Sequence, residues 1–214
     1  TVVPCLNECD HIAPLLATLL ADAANRRIVV ADGGSTDGTR AMVAAIARSE
    51  PRVVLLDNPK RIQSAGINRA VARFGSGATW LARIDAHALY PADYVSRLIA
   101  IAETQAVDAV VVRMETHGAS GFACAVAAAQ NSRLGTGGAA HRTGAAAGLV
   151  EHGHHALMRI AAFTAAGGYC EAMPCNEDAE LDLRIAAQGG RIWLAPEVPV
   201  TYFPRATPGA LWRQ

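Results

Sequence analysis

The chain has 214 residues, and its 19 basic side chains balance 19 acidic ones to a formal net charge of zero, which argues against a nucleic-acid partner. With 51% hydrophobic and 18% charged residues it is not a disordered chain, and its length suits one domain with a sizeable core. Only 5% of residues are aromatic, so that core is built mainly from Ala, Val, Leu and Ile. Cys5, Cys9, Cys124, Cys170 and Cys175 are odd in number and form no C-x-x-C pair. That pattern disfavours a disulfide framework or a structural zinc site and suits a reducing compartment. No apolar run reaches the roughly 18–20 residues of a spanning helix. The sequence opens at Thr1 inside a strand-like segment and stops at Gln214 without a clear ending, so we expect a domain of a longer protein, with any membrane association carried by segments outside it.

In chain order, Thr1–Pro4 reads as a strand stub and Ile12–Ala24 as a helix with apolar residues at helical spacing. The β-branched run Ile28–Asp32 predicts a buried parallel strand. A helix over Thr39–Arg48, a strand over Val53–Leu56 and a helix over Ser64–Phe74 follow. Trp80–Asp85 predicts a strand ending on an acid, Tyr94–Thr104 a helix and Ala109–Arg113 a strand. This alternation implies an α/β fold of βαβ units, with a mainly parallel central sheet flanked by helices. From Thr116 to Gly153 the pattern breaks into a Gly- and Ala-rich segment around one helix near Phe122–Asn131, and His152, His154 and His155 read as a loop. Glu177–Gln188 predicts a helix stopped by Gly189-Gly190, followed by strands over Ile192–Ala195 and Val198–Tyr202.

Open sheets of this kind bind ligands beyond the carboxyl ends of their strands, where Asp32 and Asp85 both fall. The polar turn Asp32 to Thr39 is neither a dinucleotide-binding motif nor a P-loop, because it lacks G-x-G-x-x-G and G-K-[ST]. In Arg83-Ile84-Asp85-Ala86-His87, a carboxylate and an imidazole are separated by one residue, a pair that suits Mn²⁺ better than Mg²⁺ or that simply satisfies itself at the surface. The run Asn176 to Arg184 gathers Glu177, Asp178, Glu180 and Asp182 at a helix start. Glu180 and Arg184 form a solvated i,i+4 pair, whereas Asp178 lies in the first turn on the side facing core or cleft, as a helix cap or as a chemical group. Lys60 and Arg61 sit between a strand and a helix, placed to meet phosphate or to stay solvated. The histidines at 152–155 read as a metal or acid/base site or as plain polar surface. No G-x-S-x-G elbow supplies a hydrolase nucleophile.

Together these segments resemble the family 2 glycosyltransferases of GT-A fold. Val3-Pro4-Cys5-Leu6-Asn7-Glu8 is similar to the family's opening strand and loop, and Asp32 to Thr39 to its D-D-G-S-T-D-G-T segment, with Gly33 for the second Asp. Asn68 resembles the family's Asn on the helix before the metal strand, Arg83 to Ala88 its D-x-D position with His87 for the second acid, and Asn176-Glu177-Asp178 its E-D position. His87, Gly167-Gly168-Tyr169, Asn176 to Arg184, Tyr202-Phe203-Pro204-Arg205 and Leu211-Trp212-Arg213-Gln214 are similar to the succinoglycan-biosynthesis type of bacterial glucosyltransferase.

The resemblance implies a single Rossmann-like GT-A domain over 1–214, with a nucleotide-sugar-binding half over 1–115 and an acceptor-binding, catalytic half over 116–214. It implies inverting, divalent-cation-dependent transfer, of glucose first among the sugars, from a UDP-sugar to a lipid-linked or polysaccharide hydroxyl in exopolysaccharide biosynthesis, at the cytoplasmic face of a bacterial inner membrane. The implied roles are nucleotide-sugar binding by Pro4, Leu6, Glu8, Asp32, Lys60, Arg61, Asn68 and Arg83, and cation (Mn²⁺ or Mg²⁺) binding by Asp85 and His87. Glu177 and His155 would contact the acceptor, and Asp178 would be the general base. The 132–150 segment would order over bound substrates. A nucleotidyltransferase would need a basic Gly-rich loop that Pro4 to His11 does not provide. A catalytically degenerate nucleotide-sugar binding module draws its support from Gly33 and His87.

Overall fold

The computed structural model describes residues 1–119, 121–144, 146–173, 175–204 and 207–209. Its first half is a parallel sheet of β1 (Val2–Cys5), β2 (Ile28–Asp32) and β3 (Val53–Asp57), with α1 (Ile12–Ala21) and α2 (Thr39–Ser49) as the connecting helices. Every residue of β1 and β2 is buried. Both faces are covered, which is why these strands read as unbroken apolar runs rather than alternating ones. Val3 and Val30 pack with Ile12 and Leu16 on one face, while Val2, Val29 and Ala31 pack with Ile67, Leu181 and Ile185 on the other.

After α3 (Gln63–Phe74), the chain forms β4 (Trp80–Ala82), β5 (Ala88–Leu89), α4 (Tyr94–Gln105), β6 (Ala109–Thr116), α5 (Gly121–Gln130), α6 (Ala140–Thr143) and β7 (Gly148–Leu149). It closes with β8 (His154–Arg159), α7 (Ile160–Ala165), α8 (Glu177–Ala187) and β9 (Ile192–Tyr202). The second sheet runs β4-β8-β6-β9-β5, with β7 on β9; among the described residues only β6 and β9 pair in parallel within it. A parallel bridge between Val2 and Arg83 joins it to the first sheet. The rim past β2 and the stretch after β4 thereby flank β1 on its two sides.

Three features differ from the sequence reading. His154 and His155 do not lie in a loop but open β8, a central strand between β4 and β6 whose two leading imidazoles mask its apolar run. Ile192–Ala195 and Val198–Tyr202 are one strand; Pro196 and Pro199 cannot donate to the ladder, and its pairing with β6 shifts between Val112 and Met114. The strand expected to reach Asp85 ends at Ala82, so Asp85 sits beyond the ladder.

Asn68 of α3 clamps the 167–169 turn, accepting from the Tyr169 amide at 2.9 Å and donating to its carbonyl at 2.8 Å. Gly168 has φ +71° there, and a Cβ would stand 2.7 Å from Asn68 Oδ1. We expect Gly168→Ala to lower unfolding free energy by about 1–3 kcal/mol, read from the urea midpoint.

Candidate active site

The turn after β2 is stitched to the loop after β1. Ser35 Oγ accepts from the Asn7 amide at 2.8 Å, Thr39 Oγ1 from the Glu8 amide at 2.8 Å, and Asp37 Oδ2 from the Cys9 amide at 3.0 Å. Asn7 Oδ1 in turn accepts from the Thr36 amide at 2.9 Å. This reciprocal set explains the density of Ser, Thr and Asp between residues 35 and 39. Asp32 is buried beneath it, accepting from the Gly34 amide at 3.0 Å, Ser35 Oγ at 2.5 Å and Arg40 Nη1 at 3.1 Å. Burial pushes its acidity the other way, but these donors hold its carboxyl below the usual range.

Pro4, Leu6, Glu8, Arg61, Asp85 and His87 line one cleft of about 180 Å³, joined by Asn58 and Gln63. Asp32, Gly33, Arg40, Asn58 and Arg61 line an adjoining hollow. Seven residues singled out from the sequence are therefore gathered at the junction of the two sheets. Lys60 and Asn68 are not among them. Lys60 pairs in solvent with Glu171 at 2.5 Å, and the Asn68 amide is engaged by the Tyr169 turn.

Arg83 departs most from expectation. Its side chain is only 5% exposed and turns inward. Nη1 donates to Asp178 Oδ1 and, at 3.3 Å, to the Tyr169 hydroxyl; Nη2 donates to Glu177 Oε1 at 3.2 Å. Nε lies 3.8 Å from Asp85 Oδ1, and the guanidinium sits 5.6 Å from the Tyr169 ring centroid. A buried guanidinium needs anionic partners, so Arg83 organises the acids instead of facing a nucleotide. Burial would raise the Asp178 carboxyl; Arg83 foremost, then His155 and His154, instead hold it down at about 2. Glu177 also accepts from Gln63 Nε2 at 3.3 Å.

His154 lies between the two carboxylates, Nε2 3.5 Å from Asp85 and Nδ1 3.9 Å from Asp178. His155, expected to touch the acceptor, is instead enclosed. Its Nδ1 meets the Tyr169 hydroxyl at 2.6 Å and its Nε2 meets Asp182 at 2.7 Å, neither side chain of the His155–Asp182 pair being exposed. Both ring nitrogens are occupied, so the residue positions its neighbours. Sequence reasoning assigned no role to Tyr169, Asp182 or Gln63. The signal for Asp182 was its place one turn beyond Asp178 on the inward side of α8.

Among the described residues, no three His, Cys, Asp or Glu side chains stand close enough to hold a metal by themselves. Asp85 Oδ1 is nevertheless buried with no hydrogen-bond partner, and Asp85 shares the cleft with His87. His87 Nδ1 meets Glu8 Oε1 at 3.1 Å. Two side chains and an open side fit a cation whose remaining ligands come from phosphate oxygens. Of the tail segments singled out from the sequence, Tyr202 ends β9, whereas Arg205 and Leu211-Trp212-Arg213-Gln214 lie outside the described residues.

The family model "Glycosyl transferase family 2" matches residues 1–165. The chain is 55% identical over 207 residues to succinoglycan biosynthesis protein ExoA of Rhizobium meliloti (strain 1021), covering 96% of this chain and 63% of that protein. It therefore spans less than two thirds of that relative. The mannosyltransferase PcManGT from Pyrobaculum calidifontis, solved with GDP-Man and Mn²⁺, superposes with TM-score 0.72 at 20% identity, over 99% of this chain and 58% of that one. Staphylococcus aureus TarS 1–349 in complex with UDP gives TM-score 0.68 at 13% identity, over 94% and 59%. Likeness at such identities shows the fold, the GT-A arrangement expected from the sequence.

Burial disfavours a charged His155, yet Asp178 and Asp182 raise its pKa above the ordinary 6.5. A group raised on folding stabilises the fold below its unfolded pKa and loses that contribution as pH rises through its folded one. An NMR titration of the His155 ring should show a midpoint above 6.5, and Asp182→Asn should lower that midpoint.

Proposed function

Because the chain belongs to the family 2 glycosyltransferases, we propose that it moves a sugar, glucose first, from a UDP-sugar to a hydroxyl of a lipid-linked or polysaccharide acceptor, with inversion, in exopolysaccharide biosynthesis. The carrying observation is one ionised carboxylate, Asp178, held at the first turn of α8 beside the cleft that Pro4, Leu6, Glu8, Arg61, Asp85 and His87 line. The uridine is assigned to the hollow of Asp32, Gly33, Arg40 and Arg61, and the diphosphate to the side of Asp85 and His87. Asp32 is committed to its own turn, so its contribution is to fix the backbone that meets the base.

A Mn²⁺ or Mg²⁺ ion held by Asp85 and His87 would neutralise charge on the departing diphosphate. Asp178 Oδ1 is tied to Arg83, while among the described residues Oδ2 takes one long hydrogen bond, 3.5 Å, from the His155 amide and has His154 Nδ1 3.9 Å away. Oδ2 is therefore the atom that receives the acceptor's proton as the hydroxyl oxygen attacks the anomeric carbon opposite the leaving phosphate. A carboxyl held at about 2 is fully ionised at neutral pH. It is also a weak base, so the proton moves late, once the new C–O bond has made the hydroxyl acidic. His154 borders the same carboxylate, Glu177 shares its guanidinium partner Arg83, and both are assigned to acceptor positioning. Among the described residues no helix is long and apolar enough to cross a membrane; attachment to the cytoplasmic face of the inner membrane is assigned to segments outside this chain.

Gly33 and His87 favour a second reading, a nucleotide-sugar binding module without turnover. Incubation with UDP-glucose, UDP-galactose and UDP-N-acetylglucosamine plus Mn²⁺ separates the two: UDP release supports the enzyme, and tight binding without release supports the module. Asp178→Asn should keep UDP affinity within a few-fold while transfer falls about 10²-fold or more; retained transfer would remove Asp178 from the mechanism. In calorimetry with Mn²⁺, Asp85→Ala should weaken UDP binding, and an unchanged isotherm would dismiss the cation role.

A further inference from the structure

A second cavity, of about 540 Å³, opens at the carboxyl end of β6 and is lined by Arg113, Glu115, Thr116, His117, Asn131 and Arg142 among others. This volume lies within the range of small-molecule sites, and none of these residues takes part in the chemistry described above. Arg142 is half-buried, and its Nη1 donates to Thr116 Oγ1 at 2.9 Å. Among the described residues no carboxylate lies within ion-pair distance of it. Burial depresses its pKa. Arg113 reaches Glu115 at 3.3 Å through Nη2, but its Nε is buried with no hydrogen-bond partner. The Cβ position of Gly144, just past α6, is 3.9 Å from the Arg113 Cζ, and Arg113 of β6 and Arg142 of α6 line the same cavity.

Its location follows from strand register. Thr116 pairs with Tyr202 on β9, Tyr202 pairs with Ala88 on β5, and the Tyr202 ring meets the edge of His87 at 5.7 Å. The cavity is thus on the same rim as the nucleotide cleft, with Tyr202 between them. A half-buried guanidinium without a carboxylate is a standing demand for an anion. Donors arrive from β6, from the segment after it and from α6, which suits a tetrahedral oxyanion better than a planar carboxylate.

We infer that this cavity is an acceptor subsite for a phosphate group, held between Arg142 and Arg113 on the far side of Tyr202 from the donor. Its use in transfer rests on the transferase reading; the binding itself does not. The test fills the donor cleft with saturating UDP and Mn²⁺, then titrates geranyl phosphate, inorganic phosphate and the neutral alcohol geraniol by calorimetry. Wild type should bind geranyl phosphate and ignore geraniol. Arg142→Gln should weaken that binding at least tenfold while UDP affinity stays within twofold, with Arg113→Gln as a second variant of the same sign. Equal binding of inorganic phosphate would assign recognition to the anion alone, and a tenfold preference for the ester would assign it to a phosphate on an organic tail; either supports the subsite. No phosphate binding by wild type, or unchanged binding in both variants, overturns it. Absence of UDP release from UDP-sugars would sink the transferase reading separately, leaving the phosphate titration to stand.

Discussion

The buried guanidinium of Arg83 is the constraint around which the site is built. Taking a charge out of water costs several kcal/mol even after relaxation, and only close opposite charges with good geometry offset it. Asp178, Glu177 and Asp85 supply them, and Tyr169 adds a hydroxyl and a ring face. These partners come from the stretch after β4, from the turn before α8 and from α8 itself. The position of the proposed base is thus fixed by the electrostatic needs of another residue. A lysine could not replace this arrangement, because a compact ammonium lacks the planar fork that reaches Glu177 and Asp178 on α8 and Asp85 after β4.

Two classes of acid stand near the rim, and burial alone does not separate them. Asp32 and Asp182 are enclosed and saturated, one by its own turn and Arg40, the other by His155 and the Gly153 amide. Asp85 and Asp178 keep an oxygen that the described residues do not fully satisfy: among them Asp85 Oδ1 has no hydrogen bond, and Asp178 Oδ2 has only a long one. Unsatisfied valence, rather than acidity or depth, marks the atoms left over for a ligand.

Much of the first half was legible in the sequence because its physics is local. Ile28–Asp32 is an unbroken β-branched run since both its faces are covered, and the polar run 35–39 answers amides a short distance away in space. The second half was less legible because its signals are long-range. β8 begins with two histidines whose burial makes sense only once Tyr169, Asp178 and Asp182 are in place. The resemblance implied nucleotide-sugar binding for Arg83, beside the D-x-D position; nothing local says that it points inward. Asn68 was similarly misplaced, its amide being taken up by a turn about a hundred residues later in the chain. Prolines at 196 and 199 split in the sequence what the register shift joins in space.

The contact between Arg83 and Asp178 closes a loop of 95 residues. Loop closure on that scale is among the slow, entropically costly steps of folding. As the chain leaves the ribosome, the strands that shape the proposed nucleotide cleft emerge well before α8. The carboxylate proposed as the base is added near the end, and until then its partner guanidinium has Asp85, 3.8 Å away, as its acidic neighbour. Docking of α8 therefore does two things at once: it brings the proposed base to Arg83, and through Leu181 and Ile185 it covers one face of the first sheet.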